Sequence, residues 1–307
     1  MTHARARSTA PGAQFLDPRV LARIDNLELL ARTVVNGFLN GLHRAPHLGL
    51  SMDFAEHRAY VPGDDVRHLD WKLFARSDRH FVKQYEAETN ANVVALLDVS
   101  ASMGFGSDPH VTKLDYARFL TACILHFSRG QRDRVGLVTF DEGIVDFVPP
   151  SARNLELALH TLARVQASEP GALRPSLLDA TERLARRGIV LVVSDFYEEP
   201  DEVLEALRLL RGRGHDVIVF HLLDPAEREL PGGESTTFED MESGEVVPVV
   251  PNRLRSAYRE MVENHVETLL ERCTAERMDH VLLDTSQPLD HALFKYLTIR
   301  ERKARSR

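Results

Sequence analysis

From Asn26 onward the apolar positions Leu27, Leu30, Ala31, Val34, Val35, Phe38 and Leu42 recur at helical spacing, which predicts a packed amphipathic helix. Residues 1–25, polar and basic ahead of it, read as a flexible leader. Gly41 to Thr89 loses the helical period, alternates in character, and carries the turn-forming run Tyr60-Val-Pro-Gly-Asp-Asp. Short strands and turns are expected there, so that residues 26–90 form a helix with a small β-rich unit.

The pattern changes at Ala91. Val93–Asp98, Val135–Phe140, Ile189–Asp195 and Val217–Leu223 are near-continuous apolar runs, as in strands buried on both faces of a parallel sheet. Helical patterns at Leu114–Phe127, Leu155–Val165, Leu177–Ala185 and Val203–Leu210 separate them. This alternation predicts an α/β fold, a doubly wound and mostly parallel Rossmann-like sheet over residues 91–300. Residues 231–251 are turn-rich and read as a β-hairpin insert. A long helix follows, with Leu254, Tyr258, Met261, Val262, Val266, Leu269 and Cys273 on one side. Val281–Asp284 and Ala292–Leu297 give a last strand and helix, and residues 301–307 a short basic tail.

Composition narrows the class. With 43% hydrophobic and 27% charged residues in 307, the chain has ordinary globular content, which excludes collagen-like, disordered and disulfide-scaffold classes. The formal charge of −8 arises in the middle of the chain, since residues 91–250 are strongly acidic while the flanks are slightly basic. An acidic body argues against phosphate-backbone binding and suits divalent cations or basic partner surfaces. No apolar run reaches the ~18 residues needed to cross a bilayer, and Met1–Phe15 lacks a signal-peptide core. Cys123 and Cys273 sit in helical apolar contexts, so a cytoplasmic protein without membrane insertion is expected.

Ligands of open parallel sheets bind beyond the carboxyl ends of the strands. Two predicted strands end there in oxygen-bearing residues: Leu97-Asp98-Val99-Ser100-Ala101-Ser102, and Val193-Ser194-Asp195. Asp98, Ser100 and Ser102 alternate along an extended turn and can converge on one point, which Asp195 approaches from a neighbouring strand. Two carboxylates and two hydroxyls make a hard-oxygen set suited to Mg²⁺. The competing reading has Ser100 and Ser102 capping the next helix and Asp98 accepting nearby backbone N–H groups.

The Asp-x-Ser-x-Ser spacing with a distal Asp resembles the metal-ion-dependent adhesion site (MIDAS) of von Willebrand factor A-like domains. Such sites add a Thr from an intervening loop. Here Leu173, in Gly171-Ala172-Leu173-Arg174-Pro175-Ser176, stands at that place, so the resemblance implies an incomplete ligand set. The nearby Ser176-x-x-Asp179 reads as a capping box with its oxygen engaged. A second resemblance is wider. Tyr60-Val-Pro-Gly-Asp-Asp-Val-Arg67, Leu69-Asp-Trp-Lys72, Ala75-Arg76, and Lys83 with Glu86 and Glu88 are similar to the signature of the bacterial domain of unknown function 58 (DUF58) family. That resemblance implies a von Willebrand A-like protein, frequently encoded beside MoxR-type AAA+ ATPases and acting as their partner or adaptor. Within the signature, Asp64, Asp65, Arg67, Asp70, Lys72 and Arg76 interleave opposite charges, as expected of an interdomain ion-pair network or a partner-docking surface.

Three functions compete. The first is a non-catalytic interaction module in which Asp98, Ser100, Ser102 and Asp195 hold Mg²⁺ and a partner's acidic residue completes its coordination. The alternative is a metal-dependent hydrolase or phosphotransferase at the same edge; Ser100 stands where the haloacid-dehalogenase pattern places its acid/base carboxylate, which weakens it. Nucleic-acid binding through the Arg67–Lys83 run is the weakest, given the acidic middle.

Overall fold

The computed structural model describes residues 17–44, 57–59, 81–83, 91–108, 111–167 and 169–305. A short helix α1 (Pro18–Leu21) precedes α2 (Leu27–Arg44), and β1 (His57–Ala59) pairs antiparallel with β2 (Phe81–Lys83). Strand β3 (Asn92–Asp98), helix α3 (Lys113–Gly130), strands β4 (Arg134–Phe140) and β5 (Ile144–Ser151), and helices α4 (Leu155–Arg164) and α5 (Leu173–Arg183) follow. Next come β6 (Ile189–Ser194), α6 (Pro200–Gly212), β7 (Asp216–Leu223) and the single turn α7 (Pro225–Glu229). A hairpin of β8 (Thr236–Glu239) and β9 (Val246–Val249), helix α8 (Pro251–Ala275), β10 (Asp279–Asp284) and α9 (Leu289–Arg305) complete the chain.

The central sheet runs β10-β7-β6-β3-β4-β5, parallel throughout except for β5 on β4. The doubly wound sheet and the 231–251 hairpin are thus as expected, while β5 has no counterpart in the hydrophobic pattern. Its side chains are mostly half-exposed and Pro149 and Pro150 fall within it, both marks of an edge strand. Alternate residues of β3 enter opposite cores. Val93, Ala95 and Leu97 pack under α2, α3, α4 and α9, whereas Val94 and Leu96 pack under α5, α6 and α8. Both faces being covered explains why β3 is buried at every position.

Helix α2 does not stand apart from this domain. Its Leu27, Leu30, Ala31, Val34, Val35 and Phe38 join the first core, so the amphipathic stripe is spent on the sheet's own helical layer. Both cysteines are buried free thiols.

The strand order sets where a site can form. From β3 the chain moves outward to β4 and β5, then returns to β6 on the other side of β3. The carboxyl ends of β3 and β6 therefore flank the switch point, where no crossover helix blocks the crevice.

Because Leu30 is fully buried between α2 and the layer beneath it, Leu30→Ala should cost about 2–4 kcal/mol in urea unfolding. One coincident transition by fluorescence and far-UV circular dichroism is expected; an unchanged midpoint would show that α2 folds apart from the sheet domain.

Candidate functional site

Asp98 ends β3 and Asp195 follows β6, so the two carboxylates emerge at the switch point, and with Ser100 and Ser102 they line one cleft of about 550 Å³. The backbone after Asp98 is held extended by hydrogen bonds from Val99 N–H to the Phe140 carbonyl and from Ala101 N–H to the Glu169 carbonyl. It then tightens into a 3-10 turn over Ala101–Gly104. Ser100 N–H donates to Asp98 Oδ1 at 2.9 Å, and the Ser100 and Ser102 hydroxyl oxygens lie 3.2 Å apart. Ser100 makes no side-chain cap to that turn, so the capping alternative for its hydroxyl is not realised. Asp98, Ser100 and Ser102 therefore converge as the spacing predicts.

Ser194 is a participant that sequence reasoning missed. Its hydroxyl donates to Asp98 Oδ2 at 2.6 Å and accepts from Phe196 N–H at 3.1 Å. That pair of bonds folds the chain sharply after β6 and carries Phe196 to a φ of 48°, in the left-handed region that non-glycine residues rarely adopt. From the far side, His265 Nε2 on α8 bonds the Phe196 carbonyl at 2.8 Å. A carbonyl only accepts, so this nitrogen carries the proton. His265 belongs to an edge-to-face stack with His221 on β7, which in turn meets His280 on β10. Burial, followed by the neighbouring rings, holds His221 well below the ordinary imidazole range, and burial holds His280 down at about 4. Both are neutral at pH 7.

The largest addition is Lys113, the first residue of α3. Its ammonium is fully buried and donates to Asp195 Oδ2 at 2.6 Å, lies 2.7 Å from Glu227 Oε1, and sits 4.6 Å above the Tyr197 ring. Thr112 starts α3 with a reciprocal cap to Asp115, which fixes where the lysine enters. Glu227 is equally constrained, because its other oxygen accepts from Asp224 N–H in the cap of α7. Burial pulls the lysine's pKa down, yet Asp195 and then Glu227 outweigh it and hold the group charged. Asp195, expected to face the cation beside Asp98, thus has one oxygen committed to this internal ammonium.

Asp98 has no such partner. Desolvation, reinforced by the negative charge of Asp195, raises its carboxyl to about 7 against the opposing hydrogen bonds from Ser194 and Ser100. Among the described residues Asp98, Asp195 and Glu227 face a single ammonium, so this cluster has more carboxyl groups than cations.

The loop opposite Asp98 differs from the expected cap. Helix α5 begins at Leu173, three residues before Ser176, and Leu173 N–H donates to Glu198 Oε1. Ser176 lies inside the helix with its hydroxyl donating to the Asp141 carbonyl, so the predicted Ser176–Asp179 capping box is absent. Its oxygen is engaged, by a different acceptor. The Leu173 side chain is buried in the second core and offers no ligand. Gly171 approaches Ser100 closely: a Cβ there would lie 3.0 Å from the Ser100 Cβ.

A small divalent cation, as the family resemblance implies, can be tested against these atoms. Mg²⁺ takes oxygen ligands at about 2.0–2.1 Å in an octahedron, which puts adjacent ligands roughly 3.0 Å apart. The two serine hydroxyls, 3.2 Å apart beside an unneutralised buried carboxylate, fit that requirement. Among the described residues no group of three or more His, Cys, Asp or Glu side chains could hold a metal, so the hydroxyls are indispensable to any such site. The signature residues Asp64, Asp65, Arg67, Asp70, Lys72 and Arg76 lie outside the described residues.

Two outcomes follow from the charges. Lys113→Met leaves Asp195 and Glu227 buried without a counter-ion and should cost roughly 3–5 kcal/mol at pH 7. The loss should shrink on acidification as Glu227, whose carboxyl burial already raises, takes up a proton, which urea unfolding from pH 5 to 8 would register. Asp98 is raised from 3.8 to about 7 on folding, so between those values the native state binds more protons than the unfolded chain. Stability contributed by this group therefore falls as pH rises through that window. Asp98→Asn removes the dependence, and its melting temperature should exceed that of the parent by a margin that grows from pH 4 to 8; a constant margin would refute the assignment.

Comparison with known proteins covers most of the chain. An uncharacterized protein of Mycobacterium tuberculosis, Rv1480, is 33% identical over 237 residues, covering 75% of this chain and 73% of that protein, and the Mycobacterium bovis protein Mb1516 matches equally. Among solved structures, the conserved hypothetical protein BatB from Bacteroides thetaiotaomicron is 15% identical with a TM-score of 0.47, covering 71% of this chain and all of that one. The SpRpn10 VWA domain is 12% identical with a TM-score of 0.41, covering 66% and 93%. The profile described as "Protein of unknown function DUF58" matches residues 56–268, more than half the sequence, and the chain belongs to that family.

Proposed function

We propose that the protein is a non-catalytic, cytoplasmic interaction module that docks a protein partner at the carboxyl edge of its sheet, with Mg²⁺ held by Asp98, Ser100 and Ser102 and with Asp195 at its margin. The observation that carries this reading is the pair of serine hydroxyls 3.2 Å apart beside Asp98, a buried carboxylate without a counter-ion among the described residues.

The charge distribution supports docking over turnover. Lys113 already offsets Asp195, so Asp98 is the carboxylate left to face an ion, and the serine ligands are neutral. An ion bound there retains net positive charge and attracts a partner's Asp or Glu. For hydrolysis the site would need a free acid/base group beside Asp98. The hydrogen bonds to that carboxylate come from the Ser194 hydroxyl and the Ser100 N–H, and neither sets an imidazole or amine against it. The family resemblance names a MoxR-type AAA+ ATPase as the partner. No helix among the described residues is long and apolar enough to cross a membrane.

Millimolar Mg²⁺ or Mn²⁺ should raise the melting temperature of the full chain, and Ser100→Ala with Ser102→Ala should abolish the rise while leaving the fold unchanged. An AAA+ ATPase should copurify from the native host and be lost on adding EDTA or with the double serine variant. Retention of that ATPase in EDTA would overturn the cation's role.

A further inference from the structure

Beside the acidic cleft lies a second depression of about 550 Å³, walled by Phe105, Leu230, Phe238, Leu254, Tyr258 and Met261. It is formed where α7, the β8–β9 hairpin and α8 meet, and it shares Phe105, Glu227 and Tyr258 with the cleft that holds Asp98. Its side chains are not packed away: Leu254 is 49% and Met261 60% exposed. An apolar depression of this kind, open to water and rimmed by charge, is the usual form of a protein-binding groove.

The rim is one-sided in charge. From Pro231 to Asn252 the chain contains Glu234, Glu239, Asp240, Glu242 and Glu245 and neither lysine nor arginine. Glu239, Asp240 and Glu242 line the cleft directly. Of the α8 arginines that reach this wall, Arg259 pairs with Glu229, while Arg255, held by the Leu230 and Gly232 carbonyls, keeps its charge and offsets one of the five hairpin carboxylates. The groove therefore presents hydrocarbon at its floor beside a hairpin of net negative charge, whose Glu239, Asp240 and Glu242 line the adjoining cleft.

We infer that this groove receives a segment of the partner protein that places a large apolar side chain against Leu254, Tyr258 and Met261 and sets lysine or arginine against the hairpin carboxylates. The inference rests on the reading of the protein as an interaction module but not on the cation. It also narrows that reading. The rim repels a run of acids, so a carboxylate that reaches an ion at Asp98 comes from a segment that is otherwise basic and apolar.

Short fluorescent peptides with amidated C-termini test the groove alone, in EDTA, against the full chain. One carries Phe-Leu flanked by lysines, a second Phe-Leu flanked by glutamates, and a third Ser-Ser flanked by lysines. The lysine-flanked Phe-Leu peptide should bind at least about tenfold more tightly than either of the others, and more weakly as salt rises. Leu254→Ser with Met261→Ser, both exposed positions, should reduce that binding about tenfold, and Glu239→Lys with Glu242→Lys should do likewise. Equal binding of the three peptides, no binding by any of them, or indifference to both variant pairs would overturn the proposal. So would a parent chain that sediments as a dimer and a Met261→Ser chain that sediments as a monomer, because a second copy would then be the occupant. Loss of AAA+ ATPase capture in Asp98→Asn with peptide binding intact would leave the groove standing, whereas the converse would remove it and spare the ion.

Discussion

A lysine ammonium buried between two carboxylates organises this end of the molecule. Lys113 joins the start of α3 to the residue after β6 and to the helical turn after β7, so one cation ties together three crossings of the sheet edge. Each partner is separately fixed: the lysine by the Thr112 cap, Glu227 by the Asp224 N–H, and Asp195 by the Ser194 turn that precedes Phe196. Taking an ammonium out of water is costly, and only two close carboxylates with defined geometry make it tolerable. The arrangement has a further effect on Asp98. With Lys113 committed elsewhere, the carboxylate at the end of β3 is left buried, close to a like charge, and supported only by neutral donors.

That division of labour distinguishes this edge from the simple picture of two aspartates sharing one ion. Asp195 is tied to Lys113, and Asp98 with the two serines lines the cleft beside it. The loop at Leu173 belongs to the same logic. Leu173 turns its side chain into the second core, and its N–H is satisfied by Glu198, so the loop contributes shape and no oxygen.

Much of the architecture was legible from hydrophobic period alone. Continuous apolar runs ending in Asp98 and Asp195 located two strands buried on both faces, and the alternation of strands with helices determined the parallel sheet and hence the switch point. Convergence of Asp98, Ser100 and Ser102 followed from their alternation along an extended segment. What could not be read depended on contacts between residues far apart in the chain. Lys113 lies 82 positions from Asp195, and nothing in Thr-Lys-Leu-Asp distinguishes a buried lysine from an ordinary first-turn residue. Ser194 was visible as a hydroxyl beside Asp195, but its bond to Asp98 requires the register of β3 on β6. The Ser176 error had a local cause: Ser-x-x-Asp is a sound start signal, yet the helix had already begun at Leu173, with Glu198 from another loop satisfying its first N–H. Edge strand β5, interrupted by Pro149 and Pro150, carries too little apolar alternation to announce itself.

Helix α8 touches both recesses at once. Through Leu254, Tyr258 and Met261 it forms a wall of the apolar groove, and about one turn beyond Met261, His265 grips the carbonyl of Phe196, the residue next to Asp195. One rod thus walls the docking face at one stretch and holds the strained bend behind the carboxylate at another, so any shift of the rod would bear on both.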